Sequence, residues 1–166
     1  MPQGPAARIT DLTAHVATPL APGPGSTDVF IGMLPAWRGI PAAAAAGLQA
    51  AKQAADIAVQ TAVAATATAA GSPGAPAAYA AEQATKTSVA ASMAGAISGA
   101  AASGADKHTC PMPSPVPPHG IGVVIDGSKT VIINNLPACR VGDTILETLG
   151  PPNKIIKGEF TVIIGG

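Results

Sequence analysis

Short apolar runs rich in β-branched residues occupy both ends of the chain, each bounded by Pro, Gly or Ser. Asp28-Val29-Phe30-Ile31, Val123-Val124-Ile125, Thr130-Val131-Ile132-Ile133 and Thr161-Val162-Ile163-Ile164 read as short strands. The middle of the chain has another pattern. Two alanine-rich segments, roughly 42–70 and 77–102, flank Gly71-Ser72-Pro73-Gly74-Ala75-Pro76. Alanine is the strongest helix former and the break is strong turn chemistry, so the pattern predicts a hairpin of two helices. Their small residues, Gly95 and Gly99 among them, allow close approach of the backbones. Lys52 with Asp56, and Glu82 with Lys86, stand at i, i+4 and are expected to mark solvated faces.

The apolar runs belong to a repeat. Gly127-Ser128-Lys129-Thr130-Val131-Ile132-Ile133-Asn134-Asn135-Leu136-Pro137-Ala138-Cys139-Arg140 aligns without a gap on Gly25-Ser26-Thr27-Asp28-Val29-Phe30-Ile31-Gly32-Met33-Leu34-Pro35-Ala36-Trp37-Arg38. A truncated copy, Gly158 to Gly166, ends the chain, and Pro5-Ala6-Ala7-Arg8-Ile9-Thr10-Asp11 matches Pro137 to Asp143. One unit, strand–turn–Pro-Ala-x-Arg–strand, thus occurs about three times. Three copies point to approximate threefold symmetry, each copy covering an edge that its neighbour would expose. The expected domains are a discontinuous β body, 1–41 and 106–166, and an inserted helical hairpin, 42–105.

Composition removes the usual means of holding such a body together. Aromatics are 2% and charged residues 11% of 166 residues, and alanine buries little area per residue. Strand pairing, a metal or a partner must substitute for core volume. The formal net charge is zero with no basic run, which removes the electrostatic drive for nucleic-acid binding. Met1-Pro2-Gln3-Gly4-Pro5 has no basic segment leading into an apolar one, so synthesis in the cytoplasm without an ordinary signal peptide is expected.

Candidate chemistry concentrates in Asp106 to Gly120, which holds His108, Cys110 and His119 among six Pro and Gly residues. Such a stretch cannot be a helix interior and makes a poor central strand, so a stiff extended loop is expected. Its plainest alternative is a proline-rich connector with incidental polar groups. Cys139 fills the x of Pro-Ala-x-Arg, where the other copies have Ala7 and Trp37, and reads as a small buried hydrophobe. Cys110 lies outside the repeat. His15 follows the first Pro-Ala-x-Arg copy, and the inserted segment holds no histidine. His15, His108, Cys110 and His119 would fill a tetrahedral site, which suits structural Zn²⁺, with iron second; three unrelated surface histidines is the rival reading. Four protein ligands leave no position for substrate or water, and no nucleophile elbow, Walker loop or dinucleotide fingerprint is present. Asp11, Asp143, Glu147 and Glu159 read as turn acceptors. The expectation is a protein that is not an enzyme.

The Pro-Ala-x-Arg copies, the Val141-Gly142-Asp143 continuation, the His108-x-Cys110-Pro111 segment, Gly150-Pro151-Pro152-Asn153-Lys154-Ile155 and the closing Thr161-Val162-Ile163-Ile164-Gly165 resemble the PAAR-repeat family over 1–41 and 106–166. These are spike-tip proteins of contractile injection machines, including type VI secretion systems and extracellular phage-tail-like particles. The resemblance implies a mainly β, conical PAAR-type structure with zinc held near its apex by histidine and cysteine. It implies a base seated on a trimeric VgrG-like spike, one tip per trimer, with transient contact to the target membrane and room for effector cargo. It also implies export as part of the particle when the sheath contracts. Two features depart from the pattern: Glu159-Phe160 stand where relatives often have Cys-Pro, and the hairpin is outside the minimal repeat. The alternative function is an effector or toxin whose helical insertion acts on membranes, with the β part as carrier. The charge-free run from Thr87 to Ala105 approaches spanning length, yet Ala, Ser, Thr and Gly drive insertion weakly. A third reading is a free zinc-binding cytoplasmic protein.

Overall fold

A computed structural model describes residues 2–113 and 117–166. In chain order the elements are β1 (Gly4–Ala6), β2 (Pro22–Gly23), β3 (Phe30–Ile31), β4 (Leu34–Pro35), α1 (Ala42–Ala69), α2 (Ala75–Ala100), β5 (Lys107–Pro113), β6 (Pro118–Val124), β7 (Ile132–Ile133), β8 (Leu136–Pro137), β9 (Thr144–Glu147), β10 (Asn153–Lys154) and β11 (Glu159–Ile164). The fold is a mainly β body of several small sheets carrying a helical hairpin.

The three Pro-Ala-x-Arg segments close a ring. The Ala7 N–H donates to the Cys139 carbonyl, Trp37 to Ala7, and Cys139 to Trp37, at 2.9, 2.9 and 3.0 Å. A second ring runs outside it: Ile9 donates to Pro35, Gly39 to Pro137, and Val141 to Pro5, at 3.0, 2.9 and 2.8 Å. Each segment bridges the next in one direction only, Ala6 with Arg140, Arg8 with Ala36, and Arg38 with Ala138. A ring of three such contacts leaves none of the segments as an open edge.

Matching residues of the units pack together. Three two-stranded sheets, the hairpins β3–β4 and β7–β8 and the terminal pair β1–β11, bury Ile31, Ile133 and Ile164 in one shared cluster with Ala6, Ala36 and Ala138. Because strand side chains alternate, the residues just before them, Phe30, Ile132 and Ile163, face outward and are more than half exposed. A second cluster joins Ala7, Trp37 and Cys139 to Leu20, Val124, Ile145 and Ile155. Cys139 is fully buried there, with its thiol pKa pushed well up by burial, as a small hydrophobe would be.

Every unit also carries an Arg–Asp clasp. The backbone N–H and Nε of Arg8 donate to Asp11 at 2.8 and 3.1 Å, and those of Arg140 to Asp143 at 2.9 and 2.9 Å. In the second unit Arg38 makes the same two bonds, 2.7 and 3.1 Å, to Asp106, a residue 68 positions later. The helical hairpin is spliced into the Arg-x-x-Asp turn of that unit.

α1 and α2 pack against each other and, through Leu48, Met93 and Ile97, with Ala101 just after α2, against Ile40, Val123, Leu136 and Leu146 of the β body. No described helix is long and apolar enough to cross a membrane. The charged pairs of the hairpin differ from the sequence expectation. Lys52, Glu82 and Lys86 are buried, and only Asp56 faces solvent. The helices are so thin in side-chain bulk that long charged side chains fill space which Leu or Met would occupy elsewhere.

The proline-rich stretch also differs. Lys107–Pro113 forms β5, an interior strand of a five-stranded sheet ordered β10-β9-β6-β5-β2. The prolines are tolerated because regular pairing with β6 runs only to Cys110↔Gly120, and the register then shifts before Pro113↔Pro118. The part of the stretch at 114–116 lies outside the described residues.

Candidate metal centre

The register of the five-stranded sheet converges four donor side chains. Cys110 comes from β5, His119 from the start of β6 and Glu147 from the end of β9, while His15 sits in the turn after Asp11. Gly122↔Glu147 and Cys110↔Gly120 pairing set the three strands side by side. One donor atom from each of His15, Cys110, His119 and Glu147 lies within 4.8 Å of all the others.

Individual distances are tighter. Glu147 Oε2 is 3.0 Å from His15 Nδ1 and 2.8 Å from His119 Nδ1. The two Nδ1 atoms are 3.3 Å apart, and Cys110 Sγ is 3.8 Å from His15 Nδ1. Ligands at about 2.0–2.3 Å from a tetrahedral zinc stand about 3.3–3.8 Å from one another, which the imidazole–imidazole and thiol–imidazole separations match, while the two carboxylate contacts are at hydrogen-bond distance and would have to open slightly. The chemistry of the set fits as well: two imidazoles, a thiol and a carboxylate, nearly all withdrawn from water. Burial pushes the Cys110 thiol up to about 11, so without a cation it keeps its proton.

Asn153 organises the carboxylate. Its side-chain amide donates to Glu147 Oε1 at 2.8 Å, leaving Oε2 for the two imidazoles, and its Oδ1 accepts the His15 N–H at 2.9 Å. Glu147 and Asn153 are both fully buried. Outer partners of this kind hold metal ligands in orientation.

His15, Cys110 and His119 are thus brought together as a group, and His108 stands beside it. His108 Nε2 is 3.9 Å from Glu147 Oε1 and 3.5 Å from Thr18 Oγ1. Burial lowers the His108 pKa, with the Glu147 charge acting in the opposite sense. Asp11 and Asp143 accept backbone N–H groups as expected, whereas Glu147 does not act as a turn acceptor. Glu159 is occupied elsewhere, taking Arg8 Nη1 at 2.6 Å and the Thr161 hydroxyl at 2.8 Å.

A sequence signal for Glu147 exists in the repeat. His15, Cys110 and Glu147 each stand four positions after the clasp aspartate, Asp11, Asp106 and Asp143 respectively. They are the same position of the three units. Two positions after the aspartates come Thr13, His108 and Ile145, all buried, so His108 occupies a packing position of the unit. His119 alone breaks the threefold pattern and supplies the fourth donor.

A closed ring of three β units ending in a buried donor cluster that is able to hold a metal ion defines a small, self-capped β body. Residues 115–166 match the family model described as PAAR motif. No curated protein and no solved structure matches the chain. Over residues 115–166 the chain is similar to PAAR-repeat proteins.

Proposed function

We propose that the protein is the non-enzymatic, zinc-stabilised tip that caps and sharpens a trimeric VgrG-like spike for piercing target envelopes. The observation that carries this reading is the closed ring of three units presenting Phe30, Ile132 and Ile163 outward at equivalent positions. Such a monomer offers an apolar residue at the same position of each unit to each subunit of a trimer, so one tip serves one spike. Met33 in the β3–β4 turn and Phe160 and Val162 of β11, also exposed, enlarge the apolar area on two of the three sheets.

The metal is proposed to be Zn²⁺, held by His15, Cys110, His119 and Glu147, with His108 packed beneath. The mixed nitrogen, sulfur and oxygen set suits zinc ahead of iron, and four protein ligands make the site structural rather than catalytic. When bound, the ion ties the turn after Asp11 and strands β5, β6 and β9 to one point. That resists splaying where the body has little core to lose. The discontinuous domain, 1–41 and 106–166, does this work, and the 42–105 hairpin is an accessory that braces the body or docks cargo.

The test is reconstitution with a trimeric spike protein. One chain per trimer, lost on Phe30→Asp or Ile163→Asp substitution, supports the proposal; no complex under any condition contradicts it. The effector alternative is tested separately: liposome leakage caused by the chain would support it, and inert liposomes would sink it.

A further inference from the structure

One residue of the hairpin bonds to the loop that backs the metal site. Lys52 of α1 is buried, and an ammonium is costly to bury unless its protons are satisfied. Its Nζ donates to the Gly150 carbonyl at 2.9 Å and also to Asp56 one turn on. Gly150 in turn lies close against the imidazole of His119. A methyl group on Gly150 would overlap the ring at Nε2, and its φ of +75° is one that side-chain-bearing residues rarely adopt. The same loop grips the His119 backbone: the Leu149 N–H donates to the His119 carbonyl at 3.2 Å, and the Thr148 hydroxyl donates to it as well.

We infer that Lys52 is a positioning residue of the metal centre, through which the inserted hairpin holds the Gly150 loop against the back of the His119 ring. This rests on the metal reading above. Nδ1 of His119 faces the other donors while Nε2 faces Gly150, so the loop fixes which nitrogen is presented. A loop free to lift would release the ring to rotate. Lys86 provides the internal comparison. It is equally buried and pairs with Glu82 at the same i, i+4 spacing, but among the described residues its hydrogen bonding stays within α2.

The experiment uses the full chain loaded with zinc, and separately with cobalt(II), in four forms: wild type, Lys52→Ala, Lys52→Arg and Lys86→Ala. Zinc release to a chromogenic chelator is expected to be about tenfold faster in Lys52→Ala, the lower end of the range for loss of outer-shell support. The cobalt(II) absorption bands should shift with it, Lys52→Arg should restore most of the slow release, and Lys86→Ala should behave as wild type. Alanine at 52 is the best helix former, so the hairpin is retained. Unchanged release in Lys52→Ala, or equal acceleration in Lys86→Ala, overturns the positioning role while leaving the metal site standing. Failure of the wild type to take up either metal overturns the metal reading itself.

Discussion

Arg38 and Asp106 make across 68 positions of sequence the paired contact that Arg8 makes with Asp11 across three. In both clasps the arginine backbone and guanidinium converge on one carboxylate, and the Asp N–H returns a bond to the Arg carbonyl, at 3.0 Å for Asp106 and 3.2 Å for Asp11. Asp106 also accepts the Gly25 N–H at 2.8 Å. The second unit is therefore completed only when both ends of the hairpin have arrived.

Asp106→Ala leaves the buried Arg38 guanidinium without its carboxylate. Breaking a buried pair from one side costs about 3–5 kcal/mol. Denaturant unfolding of the full chain should show a loss of that order, and Asp143→Ala should cost a similar amount because Arg140 is equally buried. A loss below about 1 kcal/mol, the scale of exposed pairs, would contradict the clasp.

Deleting residues 41–105 joins Ile40 to Asp106 and writes Arg-Gly-Ile-Asp, with the spacing of Arg8-Ile9-Thr10-Asp11 and Arg140-Val141-Gly142-Asp143. The shortened chain should still fold, with a β-type circular dichroism spectrum and cooperative unfolding. It should be less soluble, since Val123, Leu136 and Leu146 lose the cover of Leu48, Met93 and Ile97. A spectrum of an unfolded chain would show instead that the hairpin is integral to the body.

Gly150→Ala places a methyl group into the His119 ring and forces a left-handed backbone on alanine. Metal affinity should fall by about tenfold or more. Gly99→Ala, where nothing lies within 4 Å of the added carbon, should leave affinity unchanged. Competition titration against a zinc chelator compares the two.

The Cys110 thiol, pushed up to about 11 by burial, must lose its proton when it binds a metal. Zinc uptake should therefore release a proton from it and tighten by about tenfold per pH unit from about pH 7.5 to 9, where free histidines are already neutral. The sign is fixed: proton and metal compete for one thiolate, so raising the pH favours the metal. Calorimetry in buffers of different ionisation enthalpy counts the protons, and pH-independent affinity would remove Cys110 from the ligand set.

Much of the β body was legible because the repeat is local and gap-free. Aligning Gly127–Arg140 on Gly25–Arg38 was enough to expect threefold packing and to read Cys139 as buried. The alanine segments gave the helices for a simple reason of propensity. What sequence did not disclose depended on partners far along the chain. Lys52 reads as solvated from its i, i+4 neighbour, and is buried because a loop near Gly150 folds over it. Pro111 and Pro113 argue against a strand, and the strand survives because its register breaks where they fall. Glu147 was hidden by its chemical type: a search for imidazole and thiol passes over a carboxylate, although its place four residues after Asp143 matches His15 and Cys110.

The most direct test of the account is the zinc content of the purified full chain, measured by elemental analysis alongside its Cys110→Ser, Glu147→Ala and His108→Ala variants. The account predicts about one zinc per wild-type chain, the count a single four-ligand site requires. It predicts loss of most of that zinc in Cys110→Ser and Glu147→Ala, and retention in His108→Ala. A wild-type chain without metal, or full zinc in the Cys110→Ser and Glu147→Ala variants, would contradict it.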